Sequence, residues 1–223
     1  MRKVISLILA SSLLIGACTF TLSYDEGSGN VQKESRSIGT IERVSFEGIG
    51  NLVVTQGSET SLEVEAEDNI LPRIVTKTSG NQLEIGFDTD RWENIIRPTK
   101  PITFYLQVVN LNELSLSGLG NVKLEGIEVD RLTIRLSGAG SIEASGVIAR
   151  QDINVSGAGS YDGSDLMSEQ VNVNLSGAGN AVVWAADTLD VSISGLGNVR
   201  YYGDPVVHQS ITGLGNIQAL GEH

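Results

Sequence analysis

At 223 residues the chain is long enough for one sizeable domain, and apolar residues spread evenly after position 37 give no reason to divide it. Aromatics make up 5% while glycine reaches 26 residues, which suits a core of Val, Ile, Leu and Ala in narrow layers better than a thick globular core. The net charge of -12 repels phosphate backbones and anionic headgroups, which argues against nucleic acid as a partner.

The start of the chain has the layout of a secretory leader. Arg2 and Lys3 form a positive segment, Val4 to Ile15 an apolar one, and the small residues Gly16 and Ala17 follow. The apolar run is shorter than the roughly 20 residues a membrane-crossing helix needs. The next residue is Cys18, the only cysteine. Ile15-Gly16-Ala17-Cys18 resembles the lipobox of bacterial lipoproteins, which implies cleavage after residue 17, acylation of Cys18 and a membrane partner reached through the lipid. Thr19 in place of Asp implies, by the same resemblance, sorting to the outer membrane. A lone exposed thiol in an exported protein would otherwise be a redox liability.

Residues 18–37 are polar and lack periodic apolar positions, so they read as the lipidated cysteine and a flexible tether, with one domain over 38–223. Within that domain, Val53 to Thr55 and Leu62 to Glu65 alternate like strands. Ile74 to Thr78 and Gln82 to Ile85 flank Ser79-Gly80-Asn81 as a hairpin would. Pro98 and Pro101 bracket a loop before the apolar stretch Ile102 to Val109. Residues 38–116 are therefore expected to form irregular first coils and an end cap.

From residue 117 a pentapeptide recurs six times, with its leading glycine at 118, 138, 157, 177, 195 and 213, so the period is 18 to 20 residues; an earlier copy, Glu47 to Asn51, lies apart from the series. A fixed period near 20 predicts a solenoid. Before each leading glycine apolar and polar residues alternate, which is the pattern of strands with one buried face. Leu132, Ile134, Leu136, Ile153, Val155, Val171, Val173, Leu175, Leu189, Val191, Ile193 and Ile211 are the expected inward set. After the glycines a second alternation buries Val122, Ile142, Tyr161, Ala181, Val199 and Ile217. No segment shows the 3.6 period of a helix, so a parallel β-helix fits better than a leucine-rich horseshoe. Gly-x-Gly would serve corners that need positive φ or that have no room for a Cβ. Asn51, Asn121, Asn180, Asn198 and Asn216, with Ser141 and Ser160 in the same slot, are expected to stack as a structural ladder.

The outward positions before the glycines form three columns. One holds Ser137, Ser156, Ser176, Ser194 and Thr212; the next holds Arg135, Asn154, Asn174, Ser192 and Ser210; the third holds Thr133, Asp152, Asn172, Asp190 and His208. Asp152, Asn154, Asn172, Asn174 and Asp190 are the candidate ligand face, since amides and carboxylates offer paired donors and acceptors to sugar hydroxyls. Chemistry-bearing motifs are otherwise sparse. Gly157 to Gly163 has the wrong glycine spacing for a dinucleotide loop, and the equivalent repeats lack the Asp a calcium-binding repeat requires. His208 and His223 have no partner at metal-ligand spacing, so no metal, cofactor or catalytic residue is expected.

The repeated Gly-x-Gly-Asn units, the lead-in Gly48 to Gly57 and the segment Leu62-Glu63-Val64-Glu65-Ala66-Glu67-Asp68-Asn69-Ile70-Leu71 together resemble the family described as "putative auto-transporter adhesin, head GIN domain". The resemblance runs from about residue 40 to the last residue. It implies an all-β fold, a right-handed parallel β-helix, in a bacterial envelope protein. The reading is a non-catalytic envelope lipoprotein that binds a glycan or a surface protein. One alternative is a polysaccharide hydrolase or lyase acting through Asp130, Glu169 and Asp187, a column broken by Ala149 and Pro205. The other is a structural spacer.

Overall fold

The computed structural model describes residues 24–88 and 95–223. The leader, Cys18 and residues 19–23 lie outside the described residues.

Period-2 alternation over most of the chain produces strands almost throughout. The first half contributes β1 (Tyr24–Glu26), β2 (Val31–Arg36), β3 (Arg43–Phe46), β4 (Asn51–Gln56), β5 (Ser61–Glu67), β6 (Ile74–Ser79), β7 (Gln82–Phe87), β8 (Ile95–Arg97), β9 (Thr103–Val108) and β10 (Glu113–Leu116). The second contributes β11 (Asn121–Leu136), β12 (Ser141–Val155), β13 (Ser160–Leu175), β14 (Asn180–Ile193), β15 (Leu196–Tyr202), β16 (Val206–Ile211) and β17 (Leu214–Gly221). The long strands β11 to β14 each bend around the solenoid, so one strand serves two faces.

Two parallel ladders result. The first, face A, runs β7, β3, β10, the ends of β11 to β14, then β16. The second, face B, runs β9, β4, the beginnings of β11 to β14, then β15 and β17. In-register stacking brings Ile134, Ile153, Val173 and Val191 into one inward row. The chain is an all-β parallel solenoid, as its period predicts.

The inward set is buried with one exception. Ile211 is 41% exposed, because β16 pairs with β14 and no described strand lies on its other side. Ile217 in the last coil is likewise only half-buried. A polar residue sits within the inward rows: Gln151, in register between Leu132 and Val171, donates to the hydroxyl of the buried Tyr161. Burial raises the Tyr161 pKa, the Asp162 charge adds to this, and the Gln151 bond opposes it.

Of the two reasons for Gly-x-Gly, lack of room applies to nearly every copy. A Cβ on Gly138, Gly157, Gly177, Gly195 or Gly213 would overlap the carbonyl oxygen of the leading glycine one coil earlier. The space is taken because that oxygen accepts from the next coil: Ala158 N–H donates to the Gly138 carbonyl at 3.0 Å, Ala178 N–H to that of Gly157 at 2.9 Å and Leu196 N–H to that of Gly177 at 2.8 Å. Positive φ occurs mainly at the opposite corner, for example Gly126 and Gly146. The copy at residues 47–51 is not separate in space. Leu119 N–H donates to the Gly48 carbonyl and Asn121 N–H to that of Gly50, so this copy heads the glycine column.

The expected hairpin is present as the antiparallel pair β6 and β7. The expected tether requires correction. Residues 31–36 form β2, which pairs antiparallel with β5, and β1 pairs with β8, so the chain from residue 24 belongs to the cap. Val-Gln-Lys-Glu-Ser-Arg has one apolar residue, so periodicity does not mark it; charge pairing does, with Lys33 Nζ 2.6 Å from Glu63 and 3.4 Å from Glu65. Antiparallel β6, β5 and β2 cover the first coil's edges, which would otherwise be open to strand addition.

Candidate functional site

The registers place the candidate ligand face as the alternation implies. Thr133, Asp152, Asn172, Asp190 and His208 lie side by side, and Arg135, Asn154, Asn174, Ser192 and Ser210 form the adjacent row. Their availability is another matter. Asp152 is only 8% exposed, because Arg131 from the preceding coil meets its Oδ2 at 2.7 Å and Arg150 its Oδ1 at 3.2 Å. Burial pushes the Asp152 carboxyl up, but the hydrogen bonds and charges of Arg150 and Arg131 outweigh this and hold it below the usual carboxylate range. Asn174 Nδ2 donates to Asn154 Oδ1 at 3.4 Å, and Asp190 Oδ1 lies 2.9 Å from His208 Nδ1. Arg135 is held by Glu113 at 2.8 Å. Much of face A is therefore a flat sheet whose polar groups bond one another along the solenoid axis.

On face B the Gly-x-Gly-Asn slot stacks in register through Asn51, Asn121, Ser141, Ser160 and Asn180, and again through Asn198 and Asn216. Asn121 Nδ2 donates to Asn51 Oδ1 at 3.3 Å, and Ser141 Oγ to Asn121 Oδ1 at 2.8 Å. Asn180 Oδ1 accepts from the Asn198 backbone at 3.0 Å and from its side chain at 3.2 Å.

Two further outward columns beyond this slot went unread in the sequence. Lys123, Glu143, Asp162, Val182, Arg200 and Gln218 form the first. Trp184 and Tyr202, paired in register, lie in the second, and the His223 ring stacks on Trp184 at 4.5 Å and meets Tyr202 edge-on at 4.8 Å. Continuing the alternation two and four residues past the Asn slot finds both columns. A groove of about 650 Å³ opens between the Asn slot and the first column over the last coils.

The carboxylates Asp130, Glu169 and Asp187 are solvent-exposed. Among the described residues no group of three or more His, Cys, Asp or Glu could hold a metal ion, and no helix is long and apolar enough to cross a membrane.

The segment from Leu62 to Leu71 has a clear task. The Glu67 carboxylate, fully buried, accepts from Gly29 N–H at 2.7 Å, Thr99 N–H at 2.9 Å, Lys100 N–H at 3.3 Å and the Thr99 hydroxyl. Burial pushes its pKa up, but these donors together hold it below the usual value. Asp68 binds the Asn30 amide at 2.8 Å and the Ser28 hydroxyl. Asn69 accepts from Ser28 N–H at 3.0 Å and donates to the Glu26 carbonyl at 2.9 Å. Three consecutive side chains thus fasten two cap loops.

Similar solved structures share this fold. A putative adhesin of Bacteroides fragilis superposes with a TM-score of 0.74 at 21% identity, covering 88% of this chain and all of its own. A putative adhesin of Parabacteroides merdae gives 0.55 at 18%, covering 89% and 99%. A putative lipid binding protein of Parabacteroides distasonis gives 0.58 at 22%, covering 89% and 100%. No curated protein matches the chain. The family model described as "Putative auto-transporter adhesin, head GIN domain" matches residues 41–205, which spans β3 to β15 and both faces of the solenoid, and the chain belongs to that family.

Proposed function

We propose that the protein is a non-catalytic, lipid-anchored component of the bacterial cell envelope that presents a rigid solenoid surface for adhesion or ligand binding, with a glycan or another surface protein as partner. The observation that supports this best is the axial cross-linking of its outward rows. Side chains joined coil to coil, as in Arg131–Asp152 and Asn121–Asn51, form a preorganised surface that loses little entropy on binding. The family's adhesin-type members point the same way. Exposure of Asp130, Glu169 and Asp187 weighs against the polysaccharide-cleaving alternative, since a tuned acid or base needs burial or a close charge. A glycan array probed with the protein is expected to give retained signal on a defined subset of glycans. A blank array together with no capture by intact bacterial cells would leave only a structural spacer.

Anchoring is tested separately. Cys18→Ala is expected to move the protein from the detergent phase to the aqueous phase. Unchanged partitioning would remove the lipid anchor and the outer-membrane assignment with it.

A further inference from the structure

We infer that the groove over Asn180, Asn198 and Arg200 on face B is a binding site for a saccharide carrying a carboxylate. This rests on the binding function proposed above and names both the place and the ligand chemistry.

The argument begins with an unneutralised charge. In a chain of net charge -12, most described basic side chains near the faces are paired, as Lys123 is with Glu125, Arg131 and Arg150 with Asp152, and Arg135 with Glu113. Among the described residues Arg200 has no ion pair or side-chain hydrogen bond. Its register neighbours are Val182 and Gln218, neither of which offers a charge. A guanidinium presents a planar fork of donors that matches a carboxylate in bidentate fashion.

The surroundings complete the chemistry. Asn180 Oδ1 is occupied by Asn198, which leaves the Asn180 amide donors, Asn198 Oδ1 and the whole Asn216 side chain at the groove without a bond to any described residue. Paired amide donors and acceptors at the coil spacing of about 4.8 Å suit vicinal hydroxyls. Val182, 8% exposed, forms an apolar floor between Asp162 and Arg200. Asp162 keeps one carboxylate oxygen free, since Ser164 engages only Oδ1, and it can accept a further hydroxyl. Along the same strands, Trp184 and Tyr202 follow on the next outward column, and the Trp184 face already receives a flat ring, that of His223. Aromatic faces beside converging polar groups are what small-ligand sites commonly combine.

The test uses trigalacturonate and its uncharged methyl ester as probes, titrated calorimetrically into the protein, into Arg200→Gln and Arg200→Lys, and into a face A variant with Asn154, Asn172 and Asn174 changed to Ala. The expected result is binding of the acid by the parent protein, at least tenfold weaker binding by Arg200→Gln, an intermediate loss for Arg200→Lys, and no change for the face A variant. The methyl ester should bind at least tenfold more weakly than the acid to the parent and be indifferent to Arg200→Gln. Circular dichroism of the Arg200 variants should match the parent, since the side chain is exposed. Unchanged affinity in Arg200→Gln, or no binding of trigalacturonate by the parent, overturns this site. If the face A variant loses affinity instead, this site falls while the binding function stands; blank titrations together with a blank glycan array and no capture by intact bacterial cells remove both.

Discussion

Residues 24–116 and 117–221 build one solenoid by different means. In the later coils the backbone does most of the holding: strands stack in register, each Gly-x-Gly corner bonds to the one before, and small residues let carbonyl oxygens sit where a Cβ would be. In the first region antiparallel strands cover the open edges, and named polar side chains, above all Glu67, Asp68 and Asn69, tie irregular loops to them. Repetition specifies the coils because each copy is bounded by others like it. A cap has a copy on one side only, so it needs individual contacts instead.

That difference can be broken in several places. The largest effect is expected inside the coils. Val173→Asp buries a charge in a row of aliphatic side chains and should cost about 4 kcal/mol or more, measured as the shift in denaturant midpoint. Next is Gly157→Ala, whose new methyl would overlap the Gly138 carbonyl oxygen; about 3 kcal/mol or more is expected, because the atoms it meets, those of Gly138 and Ser137, are backbone held in the preceding coil. Gly39→Ala in the first region is the control, since nothing lies within 4 Å of its Cβ position and its stability should be nearly unchanged. Equal effects at the two glycines would undo the crowded-corner explanation.

Acid should act on the cap before the coils. The folded-state pKa values of Glu67 and Asp68 lie below their ordinary values of 4.5 and 3.8, so their contribution is present above that range and is lost as pH falls through the lowered values. Hydrogen exchange should show residues 26–30 and 99–100 losing protection at acid pH while residues 141–175 keep theirs. In Glu67→Gln those loops should open already at neutral pH. Loss of protection in all regions together would show that the cap and coils unfold as one unit. The smallest effect belongs to the Asn slot, where Asn198→Ala removes an exposed ladder bond and should cost about 1 kcal/mol at most.

Legibility in the sequence follows the same division. A period of 18 to 20 residues with period-2 alternation suffices to place Val173 inside and Asn174 outside, because any coil imposes that choice. Ile211 breaks the pattern only because a column has an end. The role of β2 was hidden because an edge strand held by Lys33 and its two glutamates carries no apolar rhythm. The alternation puts Asp152 in register with Thr133 and Asn172, but its covering by Arg131 depends on a residue 21 positions earlier that only the register brings alongside. The groove around Arg200 was legible in principle, since the alternation continues past the Asn slot. Its concave shape depends on the small Val182 lying between Asp162 and Arg200, which no single repeat discloses.

The central claim, a surface that binds and does not cleave, is tested most directly by incubating the protein with the saccharides it retains and assaying for new reducing ends and for unsaturated products. The expected result is that bound saccharide is recovered intact after prolonged incubation. Time-dependent release of either product, abolished by changing Asp130 or Glu169, would contradict it and restore the polysaccharide-cleaving alternative.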